Sequence, residues 1–273
     1  AMVHMSAWYD AYSRSTTDNY VGLSKRKTGP VRLIMGPWTH GARSTTYAGD
    51  VEFGPGSTLD ALGHGDYDAQ RLAWFQRHLK GSGKADPDPP VRLFVMGGGA
   101  GGDGLARKSP QGRLLHGGRW RAEAAWPIPD AQVALYHLHG DGALSPDNPS
   151  ATAKPLGYDS APDHPVPSIG GTITSGEPLM RGGGYDQREG PTVYGSRQPY
   201  RPLADRPDVL VFQTPPLMRD VEVTGAIEAN LWVASDGPDT DFTIKLIDVY
   251  PPSDDYPQGF ALNLTDGILR CRY

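Results

Sequence analysis

Scattered glycines and prolines are the feature that most limits how this chain can fold. The 273 residues include 35 glycines and 26 prolines, well above the usual combined share of about 12 per cent. They follow no fixed period, and both residue types interrupt helices and strand ladders while favouring turns. We therefore expect many short strands joined by turns rather than a helical bundle.

Charge, hydropathy and cysteine content exclude several classes of protein. The formal net charge is -5, from 26 basic and 31 acidic side chains of mixed order, so no basic surface for nucleic acid is expected. No apolar run approaches the ~18 residues of a membrane-spanning helix. Cys271 has no partner for a disulfide or a zinc site, and Asp236, Asp239 and Asp241 lack the spacing of a calcium loop. We predict no metal and no cofactor.

The two ends of the sequence resemble strands rather than termini. The first residues lack the basic start and apolar stretch of a signal peptide, and residues 266–273 are strand-like to the last position. We expect the natural N-terminus to be missing, so the compartment stays open, as does the presence of a homo-oligomer.

Helical patterns are confined to the first third of the chain, where they alternate with strand-like runs. The predicted elements are a strand over 3–6, a helix over 10–26 with Asp10 as its N-cap, a strand over 31–35, and a helix over 67–80 that ends at Gly81. Gly36 and Pro37 are expected to end the second strand and leave residues 38–41 in a loop. This order is typical of a parallel α/β sheet with crossover helices.

Beyond a Pro/Asp linker over residues 85–90, the pattern becomes that of an all-β region. The predicted strands are 91–96, 133–137, 209–212, 221–223, 227–233 and 242–249. Several of them alternate polar and apolar residues, as a half-buried antiparallel strand requires. A β-sandwich or jelly roll is the expected architecture.

Asp10 and His40 each directly follow a predicted parallel strand, which is where reactive groups cluster in such sheets. An aspartate that orients a histidine is the acid–base half of a Ser-His-Asp triad. The α/β-hydrolase chain order is serine, acid, histidine, and the sequence contains no Gly-x-Ser-x-Gly elbow, so the serine is expected before Ala1. From the residues alone, two alternatives remain: Asp10 could simply cap a helix, and His40 could be a loop residue without a functional role.

Two motifs resemble the acid and histidine motifs of the CocE/NonD serine hydrolases: Trp8-Tyr9-Asp10, and residues 33–41 with the sequence LIMGPWTHG. This family includes cocaine esterase, α-amino-acid ester hydrolases and cephalosporin acylases. The resemblance continues in collinear order through residues 74–81, 91–97, 120–121, 126–127, 165–171, 208–212, 223–225, 239–249 and 266–270. It implies that Asp10 and His40 are catalytic.

The resemblance also implies a fold class of α/β plus all-β. Residues 1–86 would be the C-terminal part of an α/β-hydrolase catalytic domain, and residues 87–273 a jelly-roll β-sandwich that is incomplete at its C-terminus. The nucleophilic serine and an oxyanion-hole tyrosine would lie upstream of Ala1. Trp8 and Trp38 flank the dyad and would line an acyl pocket, with ordinary packing as the alternative.

The sequence is compatible with three functions. The first is a serine hydrolase that cleaves a small-molecule ester or amide through an acyl-serine intermediate. The second is an X-Pro dipeptidyl peptidase, which shares this C-terminal domain. The third is a non-catalytic β-sandwich module that binds sugar or protein. In every case this chain alone is expected to be inactive, because the nucleophile and the full oxyanion hole are absent from its sequence.

Overall fold

The computed structural model describes residues 1–63, 65–82, 88–98, 103–173 and 179–272. The strands are β1 Met2–Tyr9, β2 Val31–Thr39, β3 Tyr47–Ala48, β4 Val51–Glu52, β5 Val91–Met96, β6 Leu114–Leu115, β7 Gly118–Glu123, β8 His137–Leu138, β9 Leu144–Ser145, β10 Asp239–Tyr250 and β11 Phe260–Arg272. The helices are α1 Ser13–Ser24 and α2 Tyr67–Leu79, with short 3-10 turns at Pro55–Ser57, Asp60–Leu62 and Leu203–Asp205.

A four-stranded sheet in the order β1-β2-β5-β7 forms the first half of the molecule. Strands β1, β2 and β5 run parallel, and β7 pairs antiparallel to β5. Successive residues of β2 are buried on opposite faces: Leu33 and Met35 pack beside Tyr20 of α1, and Ile34 packs with Trp38. Burial on both faces is what parallel strands with crossover helices require.

The predicted strand over 31–35 is longer in the structure, because β2 continues through Gly36 and Pro37 to Thr39. A register shift accommodates the proline: Ala7 pairs with Gly36 and Tyr9 pairs with Thr39, so β2 has one extra residue at that point. Proline has no N–H to donate, and a bulge is a place in a sheet where none is needed. The expectation that Trp38 and Thr39 lie in a loop is therefore wrong.

The two helices agree with the prediction in kind and differ in their N-terminal details. Helix α1 begins at Ser13 rather than Asp10, and its N-cap is Tyr12. Helix α2 is capped by the Asp66 side chain, which accepts a hydrogen bond from the Ala69 N–H at 2.9 Å. The helical period places Leu72, Phe75 and Leu79 on one face of α2, and all three side chains are exposed.

The C-terminal half is sheet-rich, and its main element is the long antiparallel hairpin of β10 and β11. The predicted strand over 242–249 lies within β10. The predicted strands over 209–212, 221–223 and 227–233 are not strands in the structure, and that over 133–137 contributes only its last residue, to β8. Most of their apolar side chains are exposed and, in the described part of the chain, no ladder pairs them. The sheet-rich content nevertheless fits a β-sandwich.

A buried cluster joins the first sheet to the C-terminal hairpin. Its members are Tyr9, Ala48, Val51, Phe53, Phe94, Ala106, Leu114, Tyr250, Phe260 and Leu262. Because β1 and β5 contribute to the same cluster as β10 and β11, the end of β1 is fixed by residues from both halves of the chain. The predicted boundary between residues 86 and 87 lies outside the described residues.

Candidate active site

The pairing of β1 with β2 brings Asp10 and His40 together. Tyr9 pairs with Thr39 in the parallel register, so the next residue of each strand emerges at the same edge of the sheet. Ends of parallel strands at one edge are where α/β proteins assemble ligand and catalytic sites. The bulge in β2 sets this register, since without it Thr39 would lie one position beyond Tyr9.

The Asp10 carboxylate lies in hydrogen-bonding contact with the His40 imidazole. The distances from His40 Nδ1 to Asp10 Oδ1 and Oδ2 are 3.2 and 3.1 Å. The Asp10 side chain is 7% exposed and the His40 side chain 58% exposed. A buried carboxylate therefore holds an imidazole whose remaining surface is open to solvent.

This arrangement has the chemistry of an acid–base pair. A carboxylate only accepts hydrogen bonds, so Nδ1 carries the hydrogen and Nε2 is left with a free lone pair. Such a histidine can take a proton from a hydroxyl, while the carboxylate stabilises the imidazolium that results. Among the described residues, His40 makes its hydrogen bonds with Asp10 alone, and Nε2 remains open to another group.

Tyr12 contacts both members of the pair, and the sequence reasoning did not single it out. Its backbone N–H donates to Asp10 Oδ1 at 2.9 Å, and its ring lies edge-on to the His40 ring at a centroid distance of 5.2 Å and an angle of 62°. The prediction of Asp10 as the helix N-cap is thus wrong, because its carboxylate closes a turn before the helix. An aspartate whose side chain bonds the N–H two residues later is a known turn signal.

The two tryptophans proposed for the acyl pocket have packing contacts in the structure. Trp38 is 2% exposed, and its Nε1–H donates to the Ser57 carbonyl at 3.0 Å. Trp8 is half-buried beside Trp126, and its Nε1–H donates to the Phe94 carbonyl at 2.7 Å. The assignment of Trp8 and Trp38 to a substrate pocket stays a prediction.

Strand β1, which ends directly before Asp10, is tied to the C-terminal hairpin through its last residue, Tyr9. The Tyr9 hydroxyl donates to the Asn263 carbonyl of β11 at 2.9 Å. Burial, with smaller contributions from the Asp248 and Asp266 carboxylates, raises the pKa of the Tyr9 phenol above its usual value. Tyr9 therefore stays protonated and remains a donor at every physiological pH.

Among the residues that the structure describes, no three His, Cys, Asp or Glu side chains are grouped so that they could hold a metal ion. None of the described helices is both long and apolar enough to cross a membrane.

Comparison with known proteins identifies the family. Residues 83–273 match the family model of the X-Pro dipeptidyl-peptidase C-terminal non-catalytic domain, which is more than half of the chain. The chain belongs to this family. Asp10 and His40 precede the matched range, so the description of that domain as non-catalytic does not extend to them.

Two relatives extend the similarity across the whole chain. Cocaine esterase of Rhodococcus sp. (strain MB1 Bresler) is 34% identical over 277 residues, which cover 98% of this chain and 40% of the esterase. A solved structure of α-amino acid ester hydrolase, 24% identical, matches with a TM-score of 0.64 over 99% of this chain and 41% of that one. The chain thus spans about two fifths of the length of these relatives, and the predicted membership of the CocE/NonD hydrolases is confirmed.

Proposed function

We propose that this chain is part of a serine hydrolase that cleaves a small-molecule ester or amide through an acyl-serine intermediate. The observation that supports this most is the 3.1 Å contact between the Asp10 carboxylate and His40 Nδ1 at the ends of neighbouring parallel strands. The relatives of this CocE/NonD chain are named as esterases and ester hydrolases, which agrees with that chemistry.

In the proposed reaction, His40 moves protons and Asp10 orients it. Nε2 would accept the proton of the serine hydroxyl as the hydroxyl attacks the carbonyl carbon, and would return that proton to the leaving alcohol or amine. Water would then be activated by the same nitrogen to hydrolyse the acyl-serine. Asp10 would keep the hydrogen on Nδ1 and balance the positive charge of the imidazolium.

The proposal places the remaining groups outside this sequence. No Gly-x-Ser-x-Gly elbow occurs in the 273 residues, so the nucleophilic serine and the oxyanion hole would be supplied by a segment upstream of Ala1. Strands β1 and β2 with helices α1 and α2 would be the C-terminal part of an α/β-hydrolase domain ending near residue 86. Residues 87–273 would be its jelly-roll β-sandwich.

Replacing His40 tests the proposal directly. In the full-length protein, His40→Ala should lower kcat for an aryl ester by about 10⁴-fold or more, because the general base is lost. His137→Ala, which changes a histidine of β8, is the matched control and should keep the wild-type rate. Near wild-type turnover by His40→Ala, with the control equally active, would overturn the assignment.

A fluorophosphonate probe tests where the nucleophile lies. The 273-residue chain should not be labelled, because the proposal places the reactive serine elsewhere, whereas the full-length protein should be labelled at one serine. Covalent labelling of a serine within residues 1–273 would contradict this placement.

An X-Pro dipeptidyl peptidase is the second candidate, since residues 83–273 match the C-terminal domain of that enzyme class. Both candidates use the same acid–base pair and differ in substrate. Assaying Xaa-Pro-anilides beside aryl esters and amino-acid esters separates them: a preference for the anilides would favour the peptidase.

The third candidate is a β-sandwich module that binds sugar or protein without catalysis. The same family match supports it, because the family description calls the domain non-catalytic. It requires ligand binding by residues 91–273 without the first third of the chain. A glycan-array or pull-down screen that finds no ligand for this part of the chain would weaken it.

A further inference from the structure

We propose that Tyr12 is a positioning residue that holds the His40 imidazole in the orientation needed for proton transfer. This inference rests on the function proposed above and names a residue that the dyad depends on. Its basis is that one residue contacts both partners: the Tyr12 N–H bonds Asp10 Oδ1, and the Tyr12 ring packs against the His40 ring.

His40 needs such support because its other described contacts do not fix its ring. The His40 side chain is 58% exposed, and its described hydrogen bonds all involve the single atom Nδ1. One bonded ring atom leaves the imidazole free to swing about that contact, which would move Nε2. The Tyr12 ring, at 5.2 Å and 62°, is at a separation and angle typical of attractive aromatic pairs and closes one side of that swing.

Tyr12 is itself held in place by its backbone. It is the N-cap residue of α1, its carbonyl accepts a hydrogen bond from the Thr16 N–H at 2.9 Å, and its N–H is held by Asp10 at 2.9 Å. The base of the Tyr12 side chain is therefore anchored on both sides. Tyr12 is nevertheless 57% exposed in this chain, so its side chain is not part of the core that these residues form.

The effect on His40 belongs to the aromatic ring of Tyr12 rather than to its hydroxyl, because the contact is one between two rings. Phenylalanine at this position should therefore reproduce most of it.

Three variants separate the ring from the backbone contact. Tyr12→Leu and Tyr12→Ala remove the ring and keep the N–H that bonds Asp10, whereas Tyr12→Phe keeps both. In the full-length protein, Tyr12→Leu should lower kcat for an aryl ester about 10- to 100-fold, as a misplaced catalytic group does, with KM within about threefold of wild type. Tyr12→Phe should recover most of kcat, and Tyr194→Leu, at an exposed tyrosine outside the site, should leave both constants unchanged.

NMR provides a readout that does not depend on turnover. The imidazole C–H resonances of His40 should carry a ring-current shift that persists in Tyr12→Phe and disappears in Tyr12→Leu and Tyr12→Ala. Unchanged kcat and His40 resonances in the ring-removing variants would overturn the proposal. A raised KM with unchanged kcat would also overturn it, by making Tyr12 a substrate contact. If His40→Ala stays active in the same assays, the proposed function fails instead.

Discussion

Gly36 connects the packing of β2 to the position of His40. A Cβ on this residue would lie 2.4 Å from Cε3 of Trp38 and 2.5 Å from two further atoms of the same indole. Trp38 is buried and bonded to the Ser57 carbonyl, so its ring cannot move aside without losing that bond. The absence of a side chain at Gly36 is therefore what lets the Trp38 ring pack against β2, the strand that His40 directly follows.

Gly36→Ala should lower the free energy of unfolding by about 1–3 kcal/mol through overpacking. Gly22→Ala in α1 is the matched control, because nothing lies within 4 Å of its added Cβ. Removing a helical glycine there should stabilise by about 0.5–1 kcal/mol. Urea denaturation measures both variants, and equal stability of the two would contradict the packing described for Trp38.

At the same scale, the sequence predicts some contacts of the candidate site and not others. The contact between Asp10 and His40 can be predicted because each residue follows a buried strand. Tyr12 cannot be predicted as a partner of His40, since a ring–ring contact depends on side-chain conformations that no spacing encodes. Trp38 shows the converse: its place beside His40 in the sequence suggests a pocket, and its side chain packs with Ile34 and Leu59 in the core.

Among the elements, the connection between β6 and β7 carries a fully buried histidine. His116 Nδ1 lies 2.8 Å from the Tyr250 hydroxyl of β10, and burial lowers the pKa of His116 from 6.5 to about 4. Between these two values the unfolded chain binds a proton that the folded protein does not. Folding stability therefore contains a contribution that is present above pH 6.5 and is lost as the pH falls towards 4.

His116→Leu tests this contribution. The shift corresponds to roughly 3 kcal/mol between pH 7 and pH 4, so the free energy of unfolding should fall less steeply with acidification in the variant than in the wild type. The quantity to compare is the difference in unfolding free energy between the two proteins at each pH. Burial raises the pKa of Asp248, and this carboxyl changes stability with pH in the opposite direction to His116 in both proteins. Parallel stability–pH curves for the two proteins would contradict the buried, neutral state of His116.

Strand prediction succeeds where a partner is available and fails where one is not. Residues 242–249 and 227–233 are both rich in β-branched and apolar side chains. The first run is part of β10 because β11 pairs with it along its whole length. The second has exposed apolar side chains, and no described ladder includes it. A strand needs a neighbour to satisfy its backbone groups, and local sequence does not report whether that neighbour is present.

At the scale of the whole molecule, a hydrogen bond from the Tyr9 hydroxyl to the Asn263 carbonyl joins the end of β1 to the C-terminal hairpin. Tyr9→Phe would leave the buried Asn263 carbonyl without this donor, at a cost of about 1–3 kcal/mol in the free energy of unfolding. Tyr20→Phe is the control, because the Tyr20 hydroxyl makes no hydrogen bond among the described residues. Removing that hydroxyl should lower the free energy of unfolding by less. Thermal or urea denaturation compares them, and equal losses would contradict the proposed link.

The domain organisation illustrates what a linear pattern leaves undetermined. The division between residues 1–86 and 87–273 that the resemblance implies stays a prediction, and the linker over residues 85–90 marks a change from helical to strand-like character. Strands β5 and β7 follow the expected boundary, yet they hydrogen-bond into the sheet that contains β1 and β2. Pairing joins residues far apart in sequence, so a change in composition can indicate where strands begin without indicating which sheet they enter.

The most direct test of the account is a double-mutant cycle on Asp10 and His40 in the full-length protein. Asp10→Asn keeps the shape of the side chain but cannot hold the hydrogen on Nδ1, so kcat should fall by about 10⁴-fold. If the two residues act as one unit, the Asp10→Asn/His40→Ala protein should be no slower than the slower single variant. Losses that multiply in the double variant, or an Asp10→Asn protein with near wild-type kcat, would show that these residues do not form a catalytic pair.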